Sequence, residues 1–300
     1  MIMSANRYTA AMLAELVGVH VSRVRSWQRR KWIVPTEITH RLAYFDFQEL
    51  TVARQLAELH RLGASPQSIG KKLALIERQF PDVARPLAQL NLLFDGRTLL
   101  VRRGSELLEP TGQLRIDFDA LDREGENEPP ATIPSPAIFL SRTSPSPLEK
   151  AAPAQLAAWA VELDEAGDLK SAAEMYRAAM AAGGPQPEWA FHLAEVLYRA
   201  GDLTGARERY FLALELDEDY VEARANLGCV LLDLDEKELA VGAFTGALQS
   251  HEAYADVHFH LARTLDGLGR QDEAKGHWQR FVDLSPESPW ADEARERLHG

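Results

Sequence analysis

A single cysteine, Cys229, occurs in 300 residues. One thiol excludes a disulfide framework and any zinc site built on several thiolates, and it suits a reducing compartment. Long apolar runs are missing too, since no stretch approaches the roughly 18 uncharged apolar residues of a membrane-spanning helix. The opening residues, MIMSANRYTA, lack the apolar centre of a secretory leader, so a cytoplasmic protein is expected. Nor is there a glycine-rich phosphate loop, a nucleophile elbow or a paired-carboxylate motif. His258 and His260 stand two apart on an expected helix and point to different faces. His251 and His277 have no cluster spaced as metal ligands around them. Cys229 falls on an expected inner helix, as a small core residue rather than a nucleophile. No enzyme, metal, other cofactor or membrane partner is therefore expected.

Positive charge is scarce overall, and a formal net charge of −12 argues at first sight against nucleic acid. The average conceals segregation. Residues 1–119 hold 17 Lys/Arg and 12 Asp/Glu, a net +5, whereas residues 153–300 hold 13 and 28, a net −15. Halves so unlike imply different partners. Between them, Asp122 to Pro153 carries seven prolines among Glu, Ser and Thr. Proline at that density removes backbone donors and blocks helix, so residues 120–152 read as an extended linker interrupted by Ala137-Ile138-Phe139-Leu140.

The acidic half repeats. Gly167-Asp168, Gly201-Asp202, Asp235-Glu236 and Gly269-Arg270 are spaced by 34 residues. Ahead of them lie Trp159-Ala160, Leu193-Ala194, Leu227-Gly228 and Leu261-Ala262. After them come Ala172, Ala206, Ala240 and Ala274, then Tyr176, Tyr210, Phe244 and Trp278, then Ala179, Ala213, Ala247 and Phe281. Small residues let paired helices approach, aromatics plug the gap to the next unit, and Gly-Asp turns the chain. This pattern resembles the tetratricopeptide repeat, a helix–turn–helix unit that stacks into an α-solenoid. Four units are expected, closed by a helix from Trp290 to Leu298.

In the basic half, Thr9 is a fair N-cap for a helix with Leu13, Ala14 and Leu16 or Val17 inward, and Gly18 permits a turn. A second helix is expected from about Val21 to Arg30. Val24 and Trp27 would pack on the first helix and leave Ser22, Arg23, Ser26, Arg29 and Arg30 outward. Between Asn6 and Arg41 stand seven Lys/Arg and only two acids. A two-helix unit with a basic exposed second helix suits the DNA major groove, the bland alternative being a solvated charged face. Tyr8-Thr9, Leu13-Ala14, Gly18-Val19, Arg25 and Trp27, Ile33-Val34-Pro35, Arg41 and Tyr44 follow one another in the order that resembles the MerR family of bacterial regulators. In that family the segment after the second helix forms a β-wing on the DNA backbone, which here would be Trp32 to Phe45. Asp46 with Glu49 and Ser65-Pro66 open two further expected helices. His20 and Lys31 depart from the family's usual Ser/Thr and Gly. The family's long dimerisation helix is replaced by Leu90 to Val101, a hairpin about Asp95-Gly96, and by a second hairpin about Pro110-Thr111-Gly112. A homodimer is therefore left open.

The reading is a mainly α protein. It has a MerR-like winged helix-turn-helix domain (1–80), a β-hairpin module (81–119), a proline-rich linker (120–152) and a four-unit repeat domain with a capping helix (153–300). The two halves are expected to fold separately. The resemblance implies double-stranded DNA as a partner. Arg25, Arg29, Arg30, Lys31, Arg41 and Tyr44 would meet phosphates, and His20, Ser22, Arg23 and Ser26 would read bases. It also implies that the first helix of each repeat lines a concave groove. That groove would present Glu188, Phe191, Glu195, Tyr198, Glu222, Asp256 and Phe259, with Asp164 and Glu165 from the first unit. Acids outnumber the two arginines, Arg199 and Arg263, and Phe191, Tyr198 and Phe259 are expected to be exposed among them. A basic segment with an apolar anchor is the expected protein ligand, against the alternative of a merely solvated acidic surface. The function expected is transcription regulation; the alternative is a scaffold whose helix-turn-helix serves only to dock protein.

Overall fold

The computed structural model describes residues 7–81, 83, 85–94, 99–103, 106–109, 114–115 and 151–299. Both hairpin turns (Asp95-Gly96 and Pro110-Thr111-Gly112), the Ala137–Leu140 run and linker residues 120–150 lie outside them. Described residues up to Glu58 and from Ala152 onward pack as one compact unit, and those from Leu59 to Ala151 form a second. This division cuts across the boundaries read from sequence, because the start of the chain shares a unit with the repeats. Ion pairs between them supply the physical reason, given below.

The first unit opens with β1 (Tyr8–Thr9), α1 (Ala10–Val17) and α2 (Val21–Arg29). The Thr9 hydroxyl accepts from the Met12 amide at 3.2 Å, and Gly18 ends α1 at φ 68°. His20 caps α2 by accepting from the Ser22 amide through Nδ1 at 3.2 Å. Val24 and Trp27 are buried, as the i, i+3 spacing requires. Lys31 adopts φ 59°, so the position where the MerR pattern has glycine is a left-handed one. Strands β2 (Glu37–Thr39) and β3 (Leu42–Phe45) make the wing, and β1 completes an antiparallel sheet in the order β1-β3-β2. Thr39 pairs with Leu42, leaving His40 and Arg41 as a two-residue loop with φ of 47° and 63°. Positive φ at both positions matches the right-handed twist of the strands and holds Arg41 at the wing tip. Helix α3 (Phe47–Arg61) begins where the Asp46 carboxylate accepts from the Glu49 amide at 3.0 Å.

In the second unit, Ser65 caps α4 (Pro66–Gln79), whose Ile69, Leu73 and Ile76 are buried as expected. After α5 (Pro86–Gln89), strands β4 (Asn91–Phe94), β5 (Leu99–Arg103), β6 (Glu106–Leu108) and β7 (Leu114–Arg115) form an antiparallel meander.

The repeats form four antiparallel pairs: α6 (Pro153–Glu165) with α7 (Leu169–Gly183), α8 (Pro187–Arg199) with α9 (Leu203–Leu216), α10 (Val221–Asp233) with α11 (Lys237–Ser250), and α12 (Ala255–Gly267) with α13 (Gln271–Leu284). Helix α14 (Ala291–His299) closes the stack with Ala291 and Ala294 inward. The 34-residue period marks one backbone state, since Gly167, Gly201, Asp235 and Gly269 have φ of 83°, 82°, 59° and 74°. The aromatics Tyr176, Tyr210, Phe244 and Trp278 are all buried, and a Cβ on Gly228 would overlap the Phe244 ring.

Gly201 has open space around its Cα, so an added methyl meets backbone strain alone. Gly201→Ala is expected to lower unfolding free energy by about 1–2 kcal/mol. Gly242→Ala, on an equally open but helical site, is expected to raise it by up to about 1 kcal/mol. Urea melts of both variants check this, and a loss at both sites would contradict it.

Candidate nucleic-acid interface and the repeat groove

Helix α2 lies on the first helices of the repeats with the face that carries Arg25 and Ser26, and its C-cap residue Arg30 reaches the same surface. The Arg25 side chain is 9% exposed and is paired with Glu195 of α8 and, at 2.5 Å, with Glu222 of α10. Its guanidinium sits 5.0 Å from the centre of the Phe191 ring, and Phe191 stacks on Tyr220 at 4.8 Å. Arg30 meets Glu165 of α6 at 2.6 Å, and the buried Ser26 hydroxyl donates to the same carboxylate.

The wing reaches the same surface. Arg41 pairs with Glu188 of α8 and with Asp217 (2.5 Å), and its guanidinium lies over the Tyr220 ring at 5.1 Å. Tyr44 brings its phenol oxygen to 2.7 Å from His251 Nε2. At the start of α1, the Thr9 hydroxyl donates to Asp256 of α12 at 2.6 Å. Contacts thus run over all four repeat units; Glu165, Glu188, Glu195, Glu222 and Asp256 stand on the first helices of the repeats, and Asp217 follows the end of α9.

Burial alone would depress the Arg25 guanidinium, but the charge and hydrogen bond of Glu222 hold it above its ordinary value. Desolvation, with the charges of Arg29 and Arg25 adding to it, holds the half-buried His192 well below the usual histidine range. Burial also lowers His251, with His40 adding to the effect. Asp256 moves the other way. Its burial pushes the carboxyl up to about 7, the Thr9 hydroxyl opposes that rise, and the Glu222 charge adds to it.

The structure therefore brings together two groups of residues that sequence reasoning assigned to different external partners. Arg25, expected to meet a phosphate, lies between two acids. Ser26 was read as outward and is buried, because α6 covers that face. Arg29 and Lys31 stay exposed; His20 is exposed, and Ser22 and Arg23 are half-buried beside it. The expectation of exposed groove aromatics needs correction. Phe191 lies beneath Arg25 and Tyr220, and Phe259 is stacked under Trp290 at 5.2 Å, both at 2% exposure or less. Tyr198 is half-buried and donates to Asp233 at 2.6 Å. Thr9, Asp217 and His251 were missed as contact residues. The N-cap reading of Thr9 used only its acceptor side, leaving the donor side as the available signal. Among the described residues there is no cluster of His, Cys, Asp and Glu able to hold a metal, and no helix long and apolar enough to cross a membrane.

Asp256 keeps a proton in the folded chain up to about pH 7, which it loses near its ordinary value when unfolded. Stability from this group is therefore full in acid and is lost as pH rises through about 7. Asp256→Asn is expected to be more stable than the parent at about pH 8, with the gap narrowing towards about pH 5. Unfolding free energies across that range check this, and a gap that does not change with pH would contradict it.

Residues 8–75 match the family model described as MerR HTH family regulatory protein. Residues 157–221 and 225–289 match that of the tetratricopeptide repeat. No curated protein matches the chain. Among solved structures, it is similar to YrrB, described as a TPR protein with an unusual peptide-binding site, at 21% identity and a TM-score of 0.45 over 48% of this chain and 75% of that one. It is also similar to MamA of Desulfovibrio magneticus, at 19% identity and a TM-score of 0.44 over 49% of this chain and 91% of that one. The chain joins a MerR-type helix-turn-helix domain to a solenoid of tetratricopeptide repeats.

Proposed function

We propose that this chain is a cytoplasmic, non-enzymatic transcription regulator whose winged helix-turn-helix domain binds duplex DNA and whose repeats hold a protein. One observation carries the reading. The MerR-type segment carries Arg23, Arg25 and Arg29 on α2, Arg30 at its C-cap and Arg41 at the wing tip, in the basic stretch of an otherwise acidic chain. Guanidinium forks on a helix and a wing suit phosphate oxygens and base edges. A second reading, a scaffold in which the helix-turn-helix domain only docks protein, is favoured by the engagement of Arg25, Arg30 and Arg41 with acids of the chain itself.

DNA binding is best measured with the groove acids neutralised, in the chain carrying Glu165→Gln, Glu188→Gln, Glu195→Gln and Glu222→Gln. If about 4–6 phosphates are met per protomer, log affinity should fall against log salt with a slope of about −4 to −5. Arg23→Ala should flatten discrimination between selected and random duplexes, whereas Lys31→Ala should weaken both alike. A slope near zero, or no binding at low salt, would decide for the scaffold.

A further inference from the structure

We infer that duplex DNA and the repeat groove compete for one face of the helix-turn-helix domain, and that a partner's basic segment opens the groove by presenting an arginine between Glu195 and Glu222. The inference rests on the DNA-binding reading for its first half only. Of the side chains expected to meet DNA, Arg25, Ser26, Arg30, Arg41 and Tyr44 touch the repeats. A phosphate backbone reaching Arg25 would have to enter a surface that already holds Glu165, Glu188, Glu195 and Glu222. Carboxylate and phosphate repel there, so the two occupancies exclude each other.

The groove also specifies what can replace α2. Two carboxylates from successive repeats face one guanidinium, and the Phe191 ring lies under it. A planar cation with several donors fills this site; the single ammonium of lysine pairs with fewer oxygens and stacks less well. Around it, Glu165 takes a second arginine together with a hydroxyl, and Glu188 and Asp217 take a third. The opener is therefore an arginine-bearing basic segment, and the solenoid's −15 charge steers its approach. When α2 leaves the groove, Arg25, Arg30 and Arg41 become available to DNA together.

The test compares the four-glutamine groove variant with a control that carries the same charge change away from the groove: Glu208→Gln, Glu215→Gln, Glu218→Gln and Glu238→Gln, all exposed. Fluorescence anisotropy with a random-sequence duplex reads DNA affinity, and amide hydrogen exchange over residues 21–29 reads docking. The groove variant is expected to bind at least about tenfold tighter than the parent and to exchange faster along α2, with the control within about twofold on both. Equal gains in the two variants would reduce the effect to net charge and overturn the competition. Unchanged exchange in the groove variant would overturn docking whatever the DNA result. Faster exchange without DNA binding by any form would leave docking standing and refute the DNA reading instead. A synthetic peptide of residues 20–31, added to the parent chain, should speed α2 exchange, and its Arg25→Lys counterpart should not. If both peptides act alike, or neither acts, the arginine-specific opener is wrong.

Discussion

The contact between the helix-turn-helix segment and the repeats centres on one guanidinium taken out of water. Arg25 stands between Glu195 and Glu222, with its side chain and that of Glu195 each 9% exposed. A buried charge is tolerated only when paired, and removal of one partner typically costs about 3–5 kcal/mol because the other is left stranded. The pairs at the edge of the contact are different in kind. Arg41 and Glu188 keep 40% and 47% of their side-chain surface, and exposed pairs of that sort contribute at most about 1 kcal/mol. The rim sets orientation and responds to salt. The centre makes the docked arrangement specific.

The chemistry that suits arginine to a phosphate also suits it to a carboxylate, and this links the two ends of the chain. A groove rich in acids keeps its own phosphate-like surface in reach of the basic helix at all times, joined through residues 59–151. Intramolecular contact makes the effective concentration of that competitor high. Under the proposed function, DNA affinity depends on how readily the groove lets go as well as on the contacts the helix can make. The Thr9–Asp256 and Tyr44–His251 hydrogen bonds extend the same dependence to two groups whose proton affinity burial shifts, Asp256 up to about 7 and His251 downward.

Local features were legible in the sequence because local physics sets them. The 34-residue spacing marked four positive-φ turns, and one of them, Asp235, takes that conformation without being glycine. Thr9 and Ser65 were readable as caps from residue type and spacing, and the four glutamates in contact with α2 and the wing were on the groove face implied by the repeat pattern. What stayed hidden was the meeting of the two halves. A net +5 and a net −15 pointed to separate partners, whereas opposite charges on one chain are also each other's nearest partners. The burial of Phe191 was hidden for the same reason, because its cover includes Arg25, which lies far from it in sequence. A proline-rich stretch suggests independent halves, but contact across it is decided by surfaces and not by the linker, and the start of the chain packs in one unit with the repeats.

The most direct measurement is a double-mutant cycle between Arg25 and Glu222, read as unfolding free energy in the full chain without DNA. Arg25→Ala, Glu222→Ala and the double variant isolate the interaction itself. A docked, desolvated pair should give a coupling energy of at least about 1.5 kcal/mol. Additivity to within about 0.5 kcal/mol would show that the two side chains do not meet in solution, and would contradict a helix-turn-helix domain held in the groove of its own repeats.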